Sequence, residues 1–227
     1  MLQLVIGNKN YSSWSMRPWV LMRHFGIRFD EIKLRFDFAP GSSFYRELAG
    51  YTPAGRVPVL LIDGFAVWDT LAIAEALADL HPQLALWPRD GMQRARARSL
   101  AAEMHAGFSA LRSHCPMNIE ATLPEVGVRV FATEPAVQRD LARIDSIWAE
   151  QMAASGGPFL FGEFGAVDAY YAPVAARVRG YGLPVSAPAR GYIERMWVSP
   201  GVAAWVADAL AEHDFLDFDE PYRQRPA

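Results

Sequence analysis

Three short runs in the first third of the chain carry the residue types that could do chemistry: Tyr11-Ser12-Ser13-Trp14-Ser15-Met16-Arg17, Arg56-Val57-Pro58, and Asp69-Thr70. The first offers hydroxyl donors ahead of an apolar helical segment. The second sets a proline, which lacks a ladder donor, at the start of an apolar strand. The third puts a carboxylate and a hydroxyl at a helix start. There, side-chain oxygens cap free N–H groups and the helix N-terminus attracts anions. Together these parts suit a small peptide carrying a thiol and charged ends.

Serine is chemically sufficient for such a thiol. A free thiol with a pKa of about 8.5 is only slightly ionised at neutral pH. Lowering that pKa by about two units takes roughly 2.7 kcal/mol of preferential thiolate stabilisation. One hydrogen bond to a charged group supplies about 1.5–3 kcal/mol, and the start of the following helix adds to it. No general base is required. Energetically, Ser12 and Ser13 are equivalent candidates.

The elements that must position these groups follow from the pattern of apolar residues. Leu2–Ile6 reads as a buried strand ending at Gly7. Met16, Trp19, Val20, Met22 and Phe25 have helical spacing up to Gly26, with Pro18 tolerable only in the first turn. Phe29–Phe36 alternates like a half-buried strand, and 39–55, rich in Pro, Gly and Ser, reads as loops with one short helical piece. Val57–Ile62 and Phe65–Trp68 flank Asp63-Gly64, the signal of a tight type I′ hairpin. Leu71, Ile73, Ala74, Leu77 and Ala78 then form a helical stripe that stops before Pro82.

After that the strand signal vanishes. Residues 81–90, with His81-Pro82 and Trp87-Pro88, read as a linker, and 91–227 as helices. One helix shows Val137, Leu141, Ile144 and Trp148 on one face, behind a Thr133 cap with Glu134 and Pro135 in its first turn. The fold class expected is a small α/β unit, βαβ followed by ββα, and then an all-α unit.

Composition bounds the rest. The 227 residues suffice for one large domain or two modest ones, and 52% hydrophobic with 21% charged residues describes a globular chain. A net charge of −3 gives no electrostatic case for a nucleic-acid or anionic-membrane partner. Arg94, Arg96 and Arg98 read as a solvated helix face. The single cysteine, Cys115, excludes an intramolecular disulfide and fits a reducing compartment. The leading apolar run is too short for a signal peptide, and no stretch approaches the ~20 apolar residues that span a bilayer. A cytoplasmic location is expected. The five histidines show no metal-ligand spacing, so no metal is expected.

On these runs the chain resembles a cytosolic glutathione S-transferase of the serine type, nearest to zeta-class-like bacterial members. In that branch a Ser-Ser-Cys-Ser-x-Arg run precedes the first helix; here it reads Ser12-Ser13-Trp14-Ser15-Met16-Arg17, with Trp14 in place of the cysteine. Val57-Pro58 matches the family's Val-Pro pair, whose proline is cis. Asp69-Thr70 stands where Glu-Ser or Gln-Ser is usual. Gly165-Ala166-Val167-Asp168 replaces a Ser/Thr-x-x-Asp capping box, which predicts a weakened cap and an intact fold.

The resemblance implies a thioredoxin-like, glutathione-binding domain over 1–80 and an all-helical domain over 91–227 that contributes the electrophile pocket. It gives the thiolate to Ser12, with Ser13 as backup because counting back from Arg17 favours Ser13 by analogy with delta-type members. Tyr11 is the substitute another branch would use and is otherwise placed in the substrate pocket. Trp14, at the mouth of the site, is implied to contact glutathione. Arg56, Val57 and Pro58 are implied to contact glutathione, Val57 and Pro58 along its cysteinyl backbone, and Asp69 and Thr70 at its γ-glutamyl end. His105 and Arg112, seven residues apart on one expected helical face, are candidates for the second-substrate pocket.

The implied function is attack of glutathione on a small hydrophobic electrophile. Alternatives are a cis-trans isomerase of the maleylacetoacetate type, against which the missing cysteine and Asp69 argue, and a non-catalytic glutathione-binding scaffold. A homodimer is implied as well. Phe36, Phe38, Phe44, Tyr45 and Tyr51 crowd one loop, either packing on their own domain or presenting a partner surface.

Overall fold

The structure is a computed structural model that describes residues 1–225. Strand β1 (Leu2–Ile6) lies at the centre of a four-stranded sheet. It runs parallel to β2 (Asp30–Lys33) and antiparallel to β3 (Val59–Ile62), which pairs antiparallel with β4 (Phe65–Val67). The two central strands are the continuous apolar runs and the edge strand β2 is the alternating one. A central strand is covered on both faces, whereas an edge strand keeps one face wet. Helices α1 (Ser13–His24), α2 (Ser43–Leu48) and α3 (Thr70–Leu80) complete this unit. At the β3–β4 turn Asp63 and Gly64 have φ of 49° and 87°, as a type I′ hairpin demands.

The remainder is helical: α4 (Gly91–Ala106), α5 (Ser109–His114), α6 (Pro124–Thr133), α7 (Pro135–Ser155), α8 (Ala166–Gly180), α9 (Ala187–Trp197) and α10 (Pro200–Glu212), then a 3₁₀ turn at Asp217–Asp219. The fold class read from the sequence is the one observed. Helix α8 is buried on almost every face, and α1 packs against both α8 and α10. At Gly201 of α10 a Cβ would lie 2.4 Å from the Val20 carbonyl, so only glycine permits this approach. Through α1, the helix bearing the serine run is wedged into the helical unit.

Several local expectations are corrected. Pro18 lies in the second turn of α1, because the helix starts at Ser13. The loop before it is closed by Tyr11 and Ser12 N–H groups on the Asn8 carbonyl, at 3.2 and 2.8 Å, which turns the chain into the helix early. Strand β2 covers only Asp30–Lys33 of the expected Phe29–Phe36. Thr133 does not cap α7: it ends α6, its hydroxyl donates to the Arg129 carbonyl, and Glu134 takes the N-cap position without a side-chain bond. The aromatic loop mostly packs on its own domain, since Phe36 and Phe44 are buried beside Val5, Tyr11 and Leu48, with Tyr51 against them.

The cap of α8 is repaired from within. Gly165 supplies no side-chain oxygen, but the Asp168 carboxylate accepts from the N–H groups of Gly165 (2.9 Å) and Leu160 (3.2 Å) and from the Tyr192 hydroxyl (2.8 Å). Burial pushes Asp168 up to about 6 despite those three donors.

Candidate active site

The start of α1, the loop before β3 and the start of α3 meet around one cleft of about 690 Å³. That is within the usual range for a small-molecule site. Its wall includes Tyr11, Ser12, Ser13, Trp14, Arg56, Val57, Pro58, Asp69, Thr70 and His105. The Val57–Pro58 bond is cis, as the resemblance implied. Arg56 is exposed at the rim, whereas Pro58 is buried beneath it.

Ser12 and Ser13 occupy different positions in the hydrogen-bond network. Ser12 is the N-cap of α1 yet makes no capping bond. Its hydroxyl lies 2.7 Å from the Ser15 hydroxyl, which also accepts from the Gly7 N–H at 3.2 Å. The Ser13 oxygen instead accepts from Arg177 of α8 at 3.2 Å. Tyr11 lines the cleft, but its hydroxyl donates to Glu220 at 2.7 Å and accepts from the Leu216 N–H at 3.3 Å. Burial, and then Glu220, push the Tyr11 phenol up to about 12, so the phenol keeps its proton and commits it to Glu220 instead of to a thiolate in the cleft.

At the other end, Asp69 caps α3 by accepting from the Leu71 N–H at 3.2 Å and lies 3.3 Å from His105 Nε2. Thr70 is fully buried and receives a long bond, 3.5 Å, from Arg17. Arg17 is almost wholly buried, stacks 3.9 Å over the Trp14 ring and has no carboxylate within ion-pair reach among the described residues. Burial lowers its guanidinium to about 9. His105 is also lowered, by burial first, with Arg17 and Arg112 adding to it and Asp69 opposing.

His105 and Arg112 do not share a helix face. His105 is in α4 and Arg112 in the separate α5, because Gly107 ends α4 and Phe108 turns the chain at φ 55°. Both still reach Trp14: the His105 ring meets it edge-on at 4.9 Å, and the Arg112 guanidinium lies 5.9 Å from its centroid. Only His105 lines the cleft; Arg112 stands behind Trp14.

Four residues were not expected at the site from the sequence, although Phe38 and Tyr45 stood out there as part of the aromatic loop. Phe38 and Tyr45 line the cleft from that loop, and Arg177 reaches Ser13 from α8. Asp219 closes the cleft from the C-terminal segment, which folds back so that the Phe218 ring meets Phe38 at a tilt, with 5.0 Å between centroids. Burial, with a contribution from Glu220, pushes Asp219 up to about 6. Nothing local distinguishes the acidic run around Asp219 from a solvated tail.

Residues 11–80 match the family described as glutathione S-transferase, N-terminal domain, and residues 93–208 the corresponding C-terminal domain. A probable maleylacetoacetate isomerase of Caenorhabditis elegans is 28% identical over 101 residues, covering 44% of this chain and 45% of that protein. The maleylacetoacetate isomerase of Rattus norvegicus is 29% identical over 101 residues, 44% of this chain and 46% of that protein. The match thus spans about half the length of these curated relatives. A glutathione transferase homolog from Burkholderia, solved with bound glutathione, superposes with a TM-score of 0.69 at 24% identity, over 92% of this chain and 97% of that one. A glutathione transferase from Methylococcus capsulatus gives 0.66 at 23% identity, over 92% and 98%. At these identities the likeness bears on the fold.

Proposed function

The chain belongs to the glutathione S-transferase family, and we propose that it is a glutathione transferase whose serine pair holds the glutathione sulfur as thiolate for attack on a small hydrophobic electrophile. The observation that carries this is the shared cleft: Ser12 and Ser13, Val57 and Pro58, and Asp69 and Thr70 all line it.

In this reading Val57 meets the cysteinyl backbone of glutathione in the manner of strand addition. Asp69, Thr70 and the start of α3 hold the γ-glutamyl end. Arg56 at the rim meets a carboxylate end. The thiol proton leaves to solvent, and a serine hydroxyl donates a hydrogen bond to the sulfur while keeping its own proton. With an aryl halide, a carbon–sulfur bond forms and the carbon–halogen bond breaks. His105 and Trp14 face the electrophile. Retention on immobilised glutathione followed by turnover of an aryl halide is the expected result. No retention and no turnover across a broad electrophile panel overturns the proposal.

A second reading, glutathione-dependent cis-trans isomerisation, is favoured by the names of the curated relatives. Trp14 in place of the cysteine argues against it. Isomerisation of maleylacetoacetate without halide turnover would select it, and glutathione binding by calorimetry with every electrophile inert would select a non-catalytic scaffold. We also propose a cytoplasmic homodimer with one face of each α/β unit on the partner's helical unit. Phe65, Trp68, Leu80 and Met92, all exposed, are the apolar side chains such an interface would cover.

A further inference from the structure

Arg177 is a buried cation with an unusual set of partners. It lies on α8 one turn after Pro173 and is 6% exposed. Its Nε donates to the Cys115 carbonyl at 3.0 Å, Nη1 to the Pro173 carbonyl at 3.2 Å, and Nη2 to Ser13 Oγ at 3.2 Å. Among the described residues the groups facing it are Arg112, Tyr181 and Cys115, none of them a carboxylate. Burial, which pushes Cys115 up to about 12, keeps that thiol neutral as well. A buried guanidinium without a counter-anion is costly. An anion arriving nearby would relieve that cost.

The direction of the Ser13 bond matters more than its length. A guanidinium only donates, whereas a hydroxyl has one proton and two lone pairs. Ser13 must therefore accept from Arg177, and its own proton is not used there. Among the described residues Ser13 Oγ donates to nothing, and Ser13 lines the cleft. Ser12 differs, because its partner Ser15 is a hydroxyl that can either give or take the shared proton.

We propose that Arg177 is a positioning residue for the thiolate: by donating into the Ser13 oxygen it turns the Ser13 proton into the cleft, which makes Ser13 the principal donor to the sulfur. This rests on the glutathione transferase reading above. A chain of such bonds polarises, so Ser13 backed by Arg177 is a stronger donor than a lone hydroxyl. Other charges that face the cleft or its floor are Arg17 on α1, Arg56 before β3, Asp69 at the start of α3, His105 on α4, Arg112 on α5 and Asp219 from the tail. All of them act on the sulfur with or without Arg177, so the test is a difference between variants.

The test is the pKa of enzyme-bound glutathione, read from thiolate ultraviolet absorbance against pH, in the wild type, Ser12→Ala, Ser13→Ala, Arg177→Met and the Ser13→Ala/Arg177→Met double variant. Ser13→Ala is expected to raise that pKa by about one unit or more, a tenfold loss of thiolate at neutral pH, and to exceed the effect of Ser12→Ala. Arg177→Met should raise it in the wild-type background and add little once Ser13 is alanine, the signature of coupled residues. A purely structural arginine would lower stability without that coupling. Should Arg177→Met not fold, Arg177→Lys, which keeps the charge but loses the fork, is expected to give a smaller rise of the same sign. The proposal fails if Ser12→Ala has the larger effect or if the Arg177 effects persist unchanged in Ser13→Ala. A wild-type chain that binds no glutathione overturns the transferase reading and this inference together, whereas the failures just named occur with glutathione bound.

Discussion

The Tyr11 hydroxyl donates a 2.7 Å hydrogen bond to Glu220, across 209 positions of sequence. It ties the first residue of the serine run to the C-terminal segment. Glu220 also accepts from Asn118 at 2.8 Å and pairs with Arg223. Burial pushes its carboxyl up, but these donors outweigh burial and hold it below the usual range. The segment is thereby fixed across the cleft, with Leu216 buried beside Tyr11 and Phe36 and with Asp219 in the wall.

Tyr11→Phe therefore separates two roles. Removing the hydroxyl leaves Glu220 and the Leu216 N–H each without one partner, which is expected to cost about 1–3 kcal/mol in urea unfolding. The pKa of bound glutathione should not move. A rise like that of the serine variants would return Tyr11 to the role of thiolate donor.

Asp69 has a capping role and a proposed ligand role, and Asp69→Asn divides them. Asparagine keeps an oxygen for the Leu71 N–H, so the melting temperature should change little. The lost charge should weaken glutathione binding about tenfold, roughly 1.4 kcal/mol, measured by calorimetry. Unchanged affinity would leave Asp69 as a cap alone.

Asp168→Ala is expected to be among the most damaging substitutions. It strips the acceptor from the Gly165 and Leu160 N–H groups and from the Tyr192 hydroxyl of α9, which converge on the start of the buried α8. Three unsatisfied donors at about 1–3 kcal/mol each predict a loss of several kcal/mol in chemical unfolding. A loss below about 1 kcal/mol would mean the helix start relaxes to find other partners.

Asp219 sets a pH dependence whose sign is definite. Its folded pKa of about 6 lies above the usual carboxylate value of 3.8. The folded chain therefore binds more protons between those values. This contribution to stability is fully present below the unfolded value and is lost as pH rises through about 6. Asp168 is raised into the same window, so the comparison must be with Asp219→Asn. The wild type should lose ground to Asp219→Asn as pH climbs from about 4 to 7, by thermal unfolding. A constant difference across that window would contradict the assignment.

Assembly is tested by sedimentation at micromolar concentration. The wild type should run near twice the 25.2 kDa chain mass, and Phe65→Asp, at an exposed apolar position, should shift it toward the monomer. A wild-type species at the chain mass refutes the dimer.

What the sequence determined by itself was local or periodic. Asp63-Gly64 demanded a tight hairpin because both residues accept positive φ. The apolar runs Leu2–Ile6 and Val57–Ile62 marked the central strands, and the stripe from Leu71 to Ala78 marked α3. The order of those elements was enough for the fold class, and the family resemblance carried by the serine run, Val57-Pro58 and Asp69-Thr70 implied much of the cleft wall.

Tertiary structure decided everything that depends on which distant groups face one another. Gly107 and Phe108 broke the helix expected to join His105 and Arg112; the glycine is a stop signal that the seven-residue spacing overrode, whereas a bulky residue at φ 55° carries no warning in its type. Arg177 and Asp219 lie in the second half of the chain; Arg177 reaches Ser13 because α1 is wedged against α8, and Asp219 reaches the cleft because the tail folds back. Hydroxyl types alone left Ser12 and Ser13 equal. Their difference arises from their neighbours, a donor-only guanidinium beneath one and another hydroxyl beside the other, and neighbours brought together by packing leave no mark on local sequence.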